Sequence, residues 1–474
     1  MSAQPPSLDR RPTRAVPARA RAWTARWSPI LPLLFAEFVV WLGFGGLLPV
    51  LPLYFTEQGI DLATLGLVIA AWPLARLVSE PFFGWVADRT ARVPLMVIGL
   101  VGAGVFAALP LFVTGAAAFV VLRALAGLSA AVYDPAARGF MTDATPPARR
   151  GEAFGLYGAA QMGGLLLGPS LGALGASLFG GIGFVFVFSG ITSIVAALGV
   201  AAWTHEERWE RHPHATPVTD QTEFPPDSPS IEERWARDLV GEASQESAES
   251  RESDGGPGSA SGGDPNRTGP DRTMKLLNRG LLAAIVINAG GAFGGGTYEV
   301  IWSLFLEGLG ADLTLIGITF AMFGLPVLLF SPIAGRVVDR RGPFAFIVLG
   351  TVLPAVTGIL YTRLTDPVLA VPLILVEATG FALLSPALYS VVAANSPPER
   401  SSTAQGLFGA AGTLGFIAAS LLAGTLAAMD ILYPFYLFST VLIVCLLVGL
   451  AIGGPVLRRR PGAVHPFDRG AAEP

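Results

Sequence analysis

Long apolar runs with few charges make up most of the chain, and each is long enough to form a membrane-crossing helix. The hydrocarbon core of a bilayer is about 30 Å thick, which an α-helix of about 20 residues crosses. The predicted spans are 29–54, 64–87, 93–115, 117–140, 152–178 and 182–203, followed by 278–306, 314–337, 343–363, 367–393, 402–428 and 431–454. Membrane β-barrels instead show short alternating segments of about ten residues. The predicted fold class is therefore an all-α membrane protein with twelve transmembrane helices.

A charged central segment divides the spans into two six-helix halves. This segment is acidic and contains the run SDGGPGSASGGDPNRTGP, whose composition is typical of a flexible linker. The predicted organisation is a tail over 1–28, a first half over 29–203, an acidic linker over 204–276, a second half over 277–454 and a tail over 455–474. Within the linker, Ser230 and Glu233 have capping-box spacing. They predict a short helix that either rests on the cytoplasmic face or docks a partner.

Composition and charge placement predict how the chain sits in the membrane. With 52% hydrophobic and 14% charged residues, the composition excludes an ordinary soluble protein. Arginines concentrate in the N-terminal tail, in the turns after even-numbered spans and in the C-terminal tail, whereas the opposite connections are mainly acidic. Because cytoplasmic loops carry the excess of basic residues, we expect both termini in the cytoplasm and the protein in the inner (plasma) membrane. The basic tail is accordingly interpreted as a topological signal and not as a nucleic-acid arm. The protein is expected to be a monomer.

Catalytic and metal-binding motifs are missing from the sequence. No phosphate-binding glycine loop occurs, and no nucleophile comes with a base and an orienting partner. Cys445 is the only cysteine, and the four histidines lie outside the predicted spans. We therefore expect no enzyme activity, no cofactor and no metal site, and ion gradients rather than ATP as the energy source.

The two halves are copies of one another. Gly84 corresponds to Gly335, 251 residues later, and the same offset relates Asp88 to Asp339 and Arg89 to Arg340. A duplicated six-helix unit is an arrangement used by transporters that bind substrate between two halves and rock around it.

At these repeated residues the chain resembles the major facilitator superfamily of membrane transporters. The family's turn between helices 2 and 3 reads Gly-x-x-x-Asp-Arg-x-Gly-Arg; Ala91 replaces its second glycine here. The resemblance implies a charge cluster that holds the cytoplasmic side closed in one state. Its members are Gly84, Asp88, Arg89 and Arg92 in the first half, and Gly335, Asp339 and Arg340 in the second.

Two further motifs resemble the drug/proton antiporters of this superfamily. Span 5 carries a Gly-x-x-x-Gly-Pro-x-x-Gly pattern, and span 4 carries part of a pattern that places an arginine, Arg123, in the membrane. The span 5 pattern consists of Gly164, Gly168, Pro169 and Gly172. A packing role, with small residues that allow close helix contact and a proline that bends the helix, is the alternative interpretation.

Ionisable residues inside the spans are the candidate coupling residues, because a charge at a helix centre costs about 2.5–3.5 kcal/mol and normally faces the bundle interior. Glu37 lies deep in span 1, and Asn288 is its counterpart in span 7. Glu299 and Glu377 lie in spans 7 and 10. We expect Glu37 to be the leading proton carrier, with Glu299 and Glu377 as contenders. The alternative is a structural carboxylate neutralised by a neighbour such as Arg123.

The sequence as a whole predicts a secondary active transporter, most consistent with a proton-coupled exporter of small amphipathic or drug-like compounds. The first alternative is an uptake symporter or uniporter for a sugar, organic acid or other metabolite. Sugar carriers usually line their cavity with many polar residues, whereas the polar candidates in these spans are mainly Gln161, Asn288 and Gln405. A non-transporting receptor or scaffold is the second. The expected partners are a small-molecule substrate and protons, and sodium coupling stays open.

Overall fold

A computed structural model describes residues 26–145, 149–179, 181–204, 277–396 and 401–458. These residues form twelve candidate membrane spans when one bent helix pair is counted as a single span. The first half contains α1 (Leu31–Leu47 with Leu51–Glu57), α2 (Leu62–Ala87), α3 (Arg92–Ala108), α4 (Ala116–Asp143), α5 (Arg150–Phe179) and α6 (Gly183–Trp203). The second half contains α7 (Arg279–Gly308), α8 (Leu313–Arg341), α9 (Phe344–Tyr361), α10 (Ala370–Ala394), α11 (Ser401–Ala427) and α12 (Tyr433–Leu457). The predicted all-α fold class is confirmed.

Eleven of these helices, within the described residues, are long and apolar enough to cross a membrane unaided, and α1 is a bent pair. Its two parts meet at 43°, next to Pro49 and Pro52. Proline removes a helix hydrogen bond and clashes with the preceding turn, which explains the break. The corresponding glycine-rich stretch of α7 is different, because α7 continues unbroken from Arg279 to Gly308. The helix that breaks is thus the one whose glycine-rich stretch also contains proline.

The start of the second helix in each half shows why the repeat is preserved there. Asp61 caps α2 by accepting a 3.0 Å hydrogen bond from the Thr64 amide, and Asp312 caps α8 through the Leu315 amide at 2.8 Å. An N-cap carboxylate satisfies an amide that the helix leaves unpaired. The hydrogen bonds from Thr64 lower the pKa of the Asp61 carboxyl. Both turns also need a glycine two residues earlier, since Gly59 and its counterpart have φ of 79° and 90°.

The two ends of the helix bundle differ in how the halves meet. Because the chain crosses twelve times, residues 26 and 458 lie at one end, here called the terminal face; the other end is the distal face. Toward the distal face one apolar core includes residues of both halves, such as Leu51 and Phe119 with Phe305 and Phe435. Toward the terminal face the described residues form two separate cores, one in each half. The halves therefore share a core on the distal side.

Two equivalent helix crossings join the halves near the distal face. A Cβ atom at Gly66 of α2 would collide with the Ser420 carbonyl of α11. A Cβ at Gly317 of α8 would lie 2.8 Å from the Pro169 carbonyl and 2.7 Å from the Ala173 Cβ of α5. The repeat offset that relates Gly66 to Gly317 also relates Pro169 to Ser420. Close approach at both crossings therefore requires glycine at the same repeated position.

Several predicted segments lie outside the described residues. They are the tail up to residue 25, the linker with its predicted helix, and the chain after residue 458.

Candidate functional site

Among the described residues, one ion pair joins the two halves inside the bundle. Arg123 of α4 donates from Nη2 to Oε1 of Glu299 on α7 at 3.1 Å. Both side chains are nearly buried, with 8% and 11% of their surfaces exposed. The sequence predicted both residues as cavity residues without pairing them, because they are 176 positions apart and on different halves.

Glu37 is completely buried and is held by three neutral donors. Its Oε1 accepts hydrogen bonds from Trp41 Nε1, one turn along α1, at 2.8 Å, and from Gln161 Nε2 on α5. Its Oε2 accepts one from the Tyr133 hydroxyl on α4 at 2.6 Å. Charged hydrogen-bond acceptors form the shorter and stronger hydrogen bonds of proteins.

The alternative of a carboxylate neutralised by a neighbour such as Arg123 fits the geometry of Glu299 and not that of Glu37. Arg123 pairs with Glu299, and among the described residues no ion pair involves Glu37. The counterpart of Glu37 in the second half, Asn288, donates from Nδ2 to the Phe408 carbonyl of α11 at 2.8 Å. Each first helix therefore uses this polar position to contact the fifth helix of its own half.

Glu377 occupies a third environment, enclosed by aromatic rings. Its Oε2 accepts a 2.7 Å hydrogen bond from the Tyr361 hydroxyl of α9. Its Oε1 is buried without a hydrogen-bond partner in the described part of the chain, and so is the hydroxyl of Tyr298. The Tyr361 ring contacts that of Trp302 edge-on, with centroids 4.8 Å apart. Glu377 is thus only partly satisfied by its surroundings.

The sequence missed the partners that define these sites. Tyr133, Trp41 and Tyr361 are aromatic residues with a polar tip, and within apolar spans they are indistinguishable from packing residues. The available signal was the need of a buried aromatic hydroxyl or indole for a hydrogen-bond partner. Gln161 was identified as a polar cavity residue, but not as a Glu37 partner.

A network of four charged residues connects α2 and α4 in the part of the bundle toward the terminal face. Within each helix, Arg76 contacts Glu80 at 3.3 Å and Arg138 lies 3.9 Å from Asp134. Two further pairs connect the helices, Arg76 with Asp134 and Arg138 with Glu80. The network therefore fixes α2 against α4 rather than only stabilising each helix.

The predicted cytoplasmic gate residues have contacts within their own half. The Arg92 guanidinium pairs with Asp143 at the end of α4. Arg89 stacks on the Trp85 ring at 4.2 Å and donates to the Trp85 carbonyl at 3.1 Å, and Asp88 is exposed at the end of α2. In the second half, Arg340 is exposed and Asp339 belongs to the last turn of α8. These contacts leave the gating role a prediction.

The glycines of the two gate motifs occupy equivalent positions. A Cβ at Gly84 would lie 3.9 Å from Pro135, and one at Gly335 would lie 3.8 Å from Pro386. Both distances are ordinary contacts, so neither glycine is required by close packing in this conformation.

The antiporter-like motif of α5 is a close-packing surface. A Cβ at Gly168 would lie 2.5 Å from the Leu42 carbonyl, and one at Gly172 would lie 2.8 Å from Gly46 Cα. Gly164 likewise faces the Phe38 carbonyl of α1. Because the Pro169 carbonyl faces α8, this motif lies where α1, α5 and the second half meet.

No group of histidine, cysteine, aspartate and glutamate suited to a metal ion occurs among the described residues.

Sequence comparison finds relatives among drug-resistance proteins. The chain is 27% identical over 427 residues to multidrug resistance protein 2 of Bacillus subtilis, a match that spans 87% of this chain and 92% of that protein. It is 28% identical over 179 residues to the quinolone resistance protein NorA of Staphylococcus aureus, over 38% of this chain and 46% of that protein.

Solved transporter structures share the fold. The nucleoside transporter NupG matches with a TM-score of 0.66 at 14% identity, over 89% of this chain and 98% of that one. A mutant of the peptide transporter POT, in complex with sulfate, matches with a TM-score of 0.64 at 16% identity, over 90% and 95% of the two chains.

The family assignment rests on most of the chain. The sequence profile of the Major Facilitator Superfamily matches residues 33–298 and again residues 284–472, so that both halves are included. This protein therefore belongs to the Major Facilitator Superfamily and is a multi-pass membrane transporter rather than an enzyme.

Proposed function

We propose that this transporter is a proton-coupled exporter of small amphipathic or drug-like compounds. The observation that carries the proposal is Glu37, a fully buried carboxylate whose hydrogen-bond partners are all uncharged. Gain of a proton there leaves no unpaired basic side chain behind. A site of this kind can be loaded and unloaded at a lower cost than one within an ion pair.

The Arg123–Glu299 pair supplies a link between protonation and conformation. Protonation of Glu299 would remove the charge that Arg123 faces across the two halves. Breaking a buried ion pair by removing one charge costs about 3–5 kcal/mol, since the other charge is left uncompensated. A proton at Glu299 would thus weaken the contact between α4 and α7, which favours separation of the halves on the distal side.

The proposed cycle uses alternating access. In the described conformation the halves share a core only toward the distal face, which is the arrangement expected of a transporter closed on that side. With the terminal face in the cytoplasm, as arginine placement predicts, a substrate would enter from the cytoplasm. Glu37 is the leading proton carrier, with Glu299 and Glu377 as contenders. The gate residues around Asp88 and Asp339 would close the terminal face in the opposite state.

Export, rather than uptake, is supported by the relatives named for multidrug and quinolone resistance. Superfamily structures with nucleoside and peptide transport functions share the fold and do not discriminate between the two directions.

The test is transport by the purified full-length protein in liposomes under an imposed pH gradient. The probe is ethidium, a permanent cation, with the membrane potential clamped to zero by equal potassium and valinomycin. An antiporter accumulates ethidium in vesicles with an acidic lumen and not in vesicles with an acidic exterior. Accumulation with an acidic exterior would indicate a symporter, and no gradient-driven movement would overturn the proposal in favour of a metabolite permease.

A further inference from the structure

A small cavity lies inside the first half, among α1, α2, α3, α4 and α6, and its volume is about 100 Å³. All residues that line it belong to this half. Its aromatic lining comprises Trp41, Phe44, Trp72, Phe106 and Phe186. An apolar cavity of about 150 Å³ holds a benzene molecule. At about two thirds of that volume, the cavity is on the scale of a single ring, for which the lining side chains would have to move slightly apart, and not of a larger ligand.

The rings of this cavity are arranged to contact a planar group. Phe44 lies 5.3 Å from Trp41 with its plane nearly perpendicular, and 5.4 Å from Trp72 at a smaller angle. Aromatic pairs prefer edge-to-face and offset geometries at these separations. A ring inserted among them would find both faces and edges available.

Arg123 lines the same cavity with most of its donor groups unused. A guanidinium carries five N–H donors. The only hydrogen bond of Arg123 with a described residue runs from Nη2 to Glu299, and Nε is buried without a partner. The residue is 7% exposed. A buried donor without an acceptor is destabilising, so this guanidinium is suited to a ligand oxygen.

The other cation of the cavity does not compete for such an oxygen. Arg76 already forms two ion pairs, with Glu80 through Nε and with Asp134 through Nη2. Arg76 also lies over the Trp72 ring at 5.5 Å. The open donors of Arg123 are therefore the groups of this cavity that are suited to an oxygen acceptor of a ligand.

We propose that this cavity is a subsite for a planar aromatic group that carries a carboxylate or carbonyl oxygen, with the ring among Trp41, Phe44 and Trp72 and the oxygen on Arg123. The subsite rests on the proposed function, since the group would be part of the transported compound. Because the same guanidinium holds Glu299, occupancy of the cavity and the bridge between the halves share one side chain.

The test compares three single-ring probes that differ only in their polar group: benzoate, benzamide and benzylamine. Binding to the purified full-length protein in detergent is measured by titration with saturation-transfer NMR. We expect dissociation constants on the order of 1 mM for benzoate and benzamide, as suits ligands of about nine heavy atoms. Benzylamine, which offers no acceptor, should bind at least about tenfold more weakly, the factor that one charge-assisted hydrogen bond provides.

Variants locate the binding. Ala130→Leu, in the cavity wall, should abolish benzoate binding, whereas Ala117→Leu, exposed on the same helix, should leave it unchanged. Arg123→Lys keeps the charge facing Glu299 but loses the planar fork, and should weaken benzoate binding about tenfold. If Ala130→Leu fails to fold, the arginine variant and the probe series decide on their own.

Three results would overturn the subsite: undiminished benzoate binding in Ala130→Leu, equal binding of benzylamine and benzoate, or no probe binding at all. These readings need neither a gradient nor transport. A protein that exports ethidium but binds no probe would refute the subsite alone, and a protein that binds benzoate without proton-driven transport would refute the proposed function alone.

Discussion

The Arg123 guanidinium on α4 lies 3.1 Å from the Glu299 carboxylate on α7, so one ion pair spans the interface between the two halves. Both helices also contribute to the apolar core shared near the distal face, for instance through Phe119 and Phe305. The pair is the one ionic contact between the halves among the described residues. Its state of charge is therefore a direct way to change how strongly the halves adhere.

Glu299→Gln should reduce thermal stability, because the substitution leaves the Arg123 charge buried without a carboxylate. The expected loss in unfolding free energy is about 3 kcal/mol, toward the lower end for a broken buried pair because the glutamine oxygen still accepts a hydrogen bond. Thermal unfolding of the purified protein measures it. Glu307→Gln, exposed at the end of the same helix, is the matched control and should leave the midpoint unchanged. Equal midpoints for both variants would show that the pair contributes nothing.

Gly168→Ala should destabilise the protein, since the new Cβ would lie 2.5 Å from the Leu42 carbonyl and α1 and α5 would have to separate. Overpacking of this kind costs about 1–3 kcal/mol. Gly158→Ala, on the same helix with nothing within 4 Å of its Cβ, should be neutral or stabilising by up to about 1 kcal/mol. The comparison uses thermal unfolding of both variants. A similar effect of both substitutions would contradict the packing role of the α5 motif.

Tyr361→Phe should destabilise the second half, because it removes the 2.7 Å hydrogen bond that the Tyr361 hydroxyl donates to the buried Glu377 carboxyl group. Loss of a partner for a buried polar group costs about 1–3 kcal/mol. Tyr389→Phe serves as the control for the loss of a hydroxyl, because Tyr389 is 56% exposed. If the unfolding midpoints of the two variants agree within error, the hydrogen bond between Tyr361 and Glu377 does not contribute to stability.

The sequence predicted the large-scale organisation because its signals are local or repeated. Span positions follow from apolar runs, and the repeat offset of the two halves also relates Gly66 to Gly317, which lie at equivalent crossings. The bend in α1 followed from its prolines. In α7, glycine without proline allows a continuous helix, and Gly294 and Gly296 face Phe438 and Phe416.

Side-chain partnerships were beyond the sequence for a physical reason. Whether Arg123 pairs with Glu37 or with Glu299 depends on how the two halves pack against each other. No spacing along the chain encodes that packing. Within the first half, the contact of Tyr133 with Glu37 joins residues 96 positions apart and depends on how α1 and α4 pack. A charged residue in a span predicts that a partner exists, but the identity of the partner needs the packed structure.

Gly66→Leu should favour opening at the distal face, because its side chain cannot be placed against the Ser420 carbonyl while α2 and α11 remain in contact. Cys445 is the only native cysteine, so a Cys445→Ser background allows a reporter cysteine at Ala423, which is 1% exposed in the shared core. A water-soluble maleimide should label this reporter faster in the Gly66→Leu protein.

Gly155→Leu is the control for this labelling, since a Cβ there meets nothing within 4 Å. Equal labelling rates in Gly66→Leu and Gly155→Leu would mean that the crossing does not hold the distal face closed.

Substrate-driven proton movement probes Glu37 as the proton carrier without any imposed pH gradient. Proteoliposomes with a pH-sensitive dye in the lumen receive an outward or inward gradient of ethidium, for the wild type, Glu37→Gln and the exposed control Glu57→Gln on the same span. We expect ethidium movement to drive protons in the opposite direction in the wild type and in Glu57→Gln, and to drive none in Glu37→Gln. Proton movement that persists in Glu37→Gln would contradict the assignment of Glu37, and ethidium transport by the wild type without any proton movement would contradict proton coupling itself.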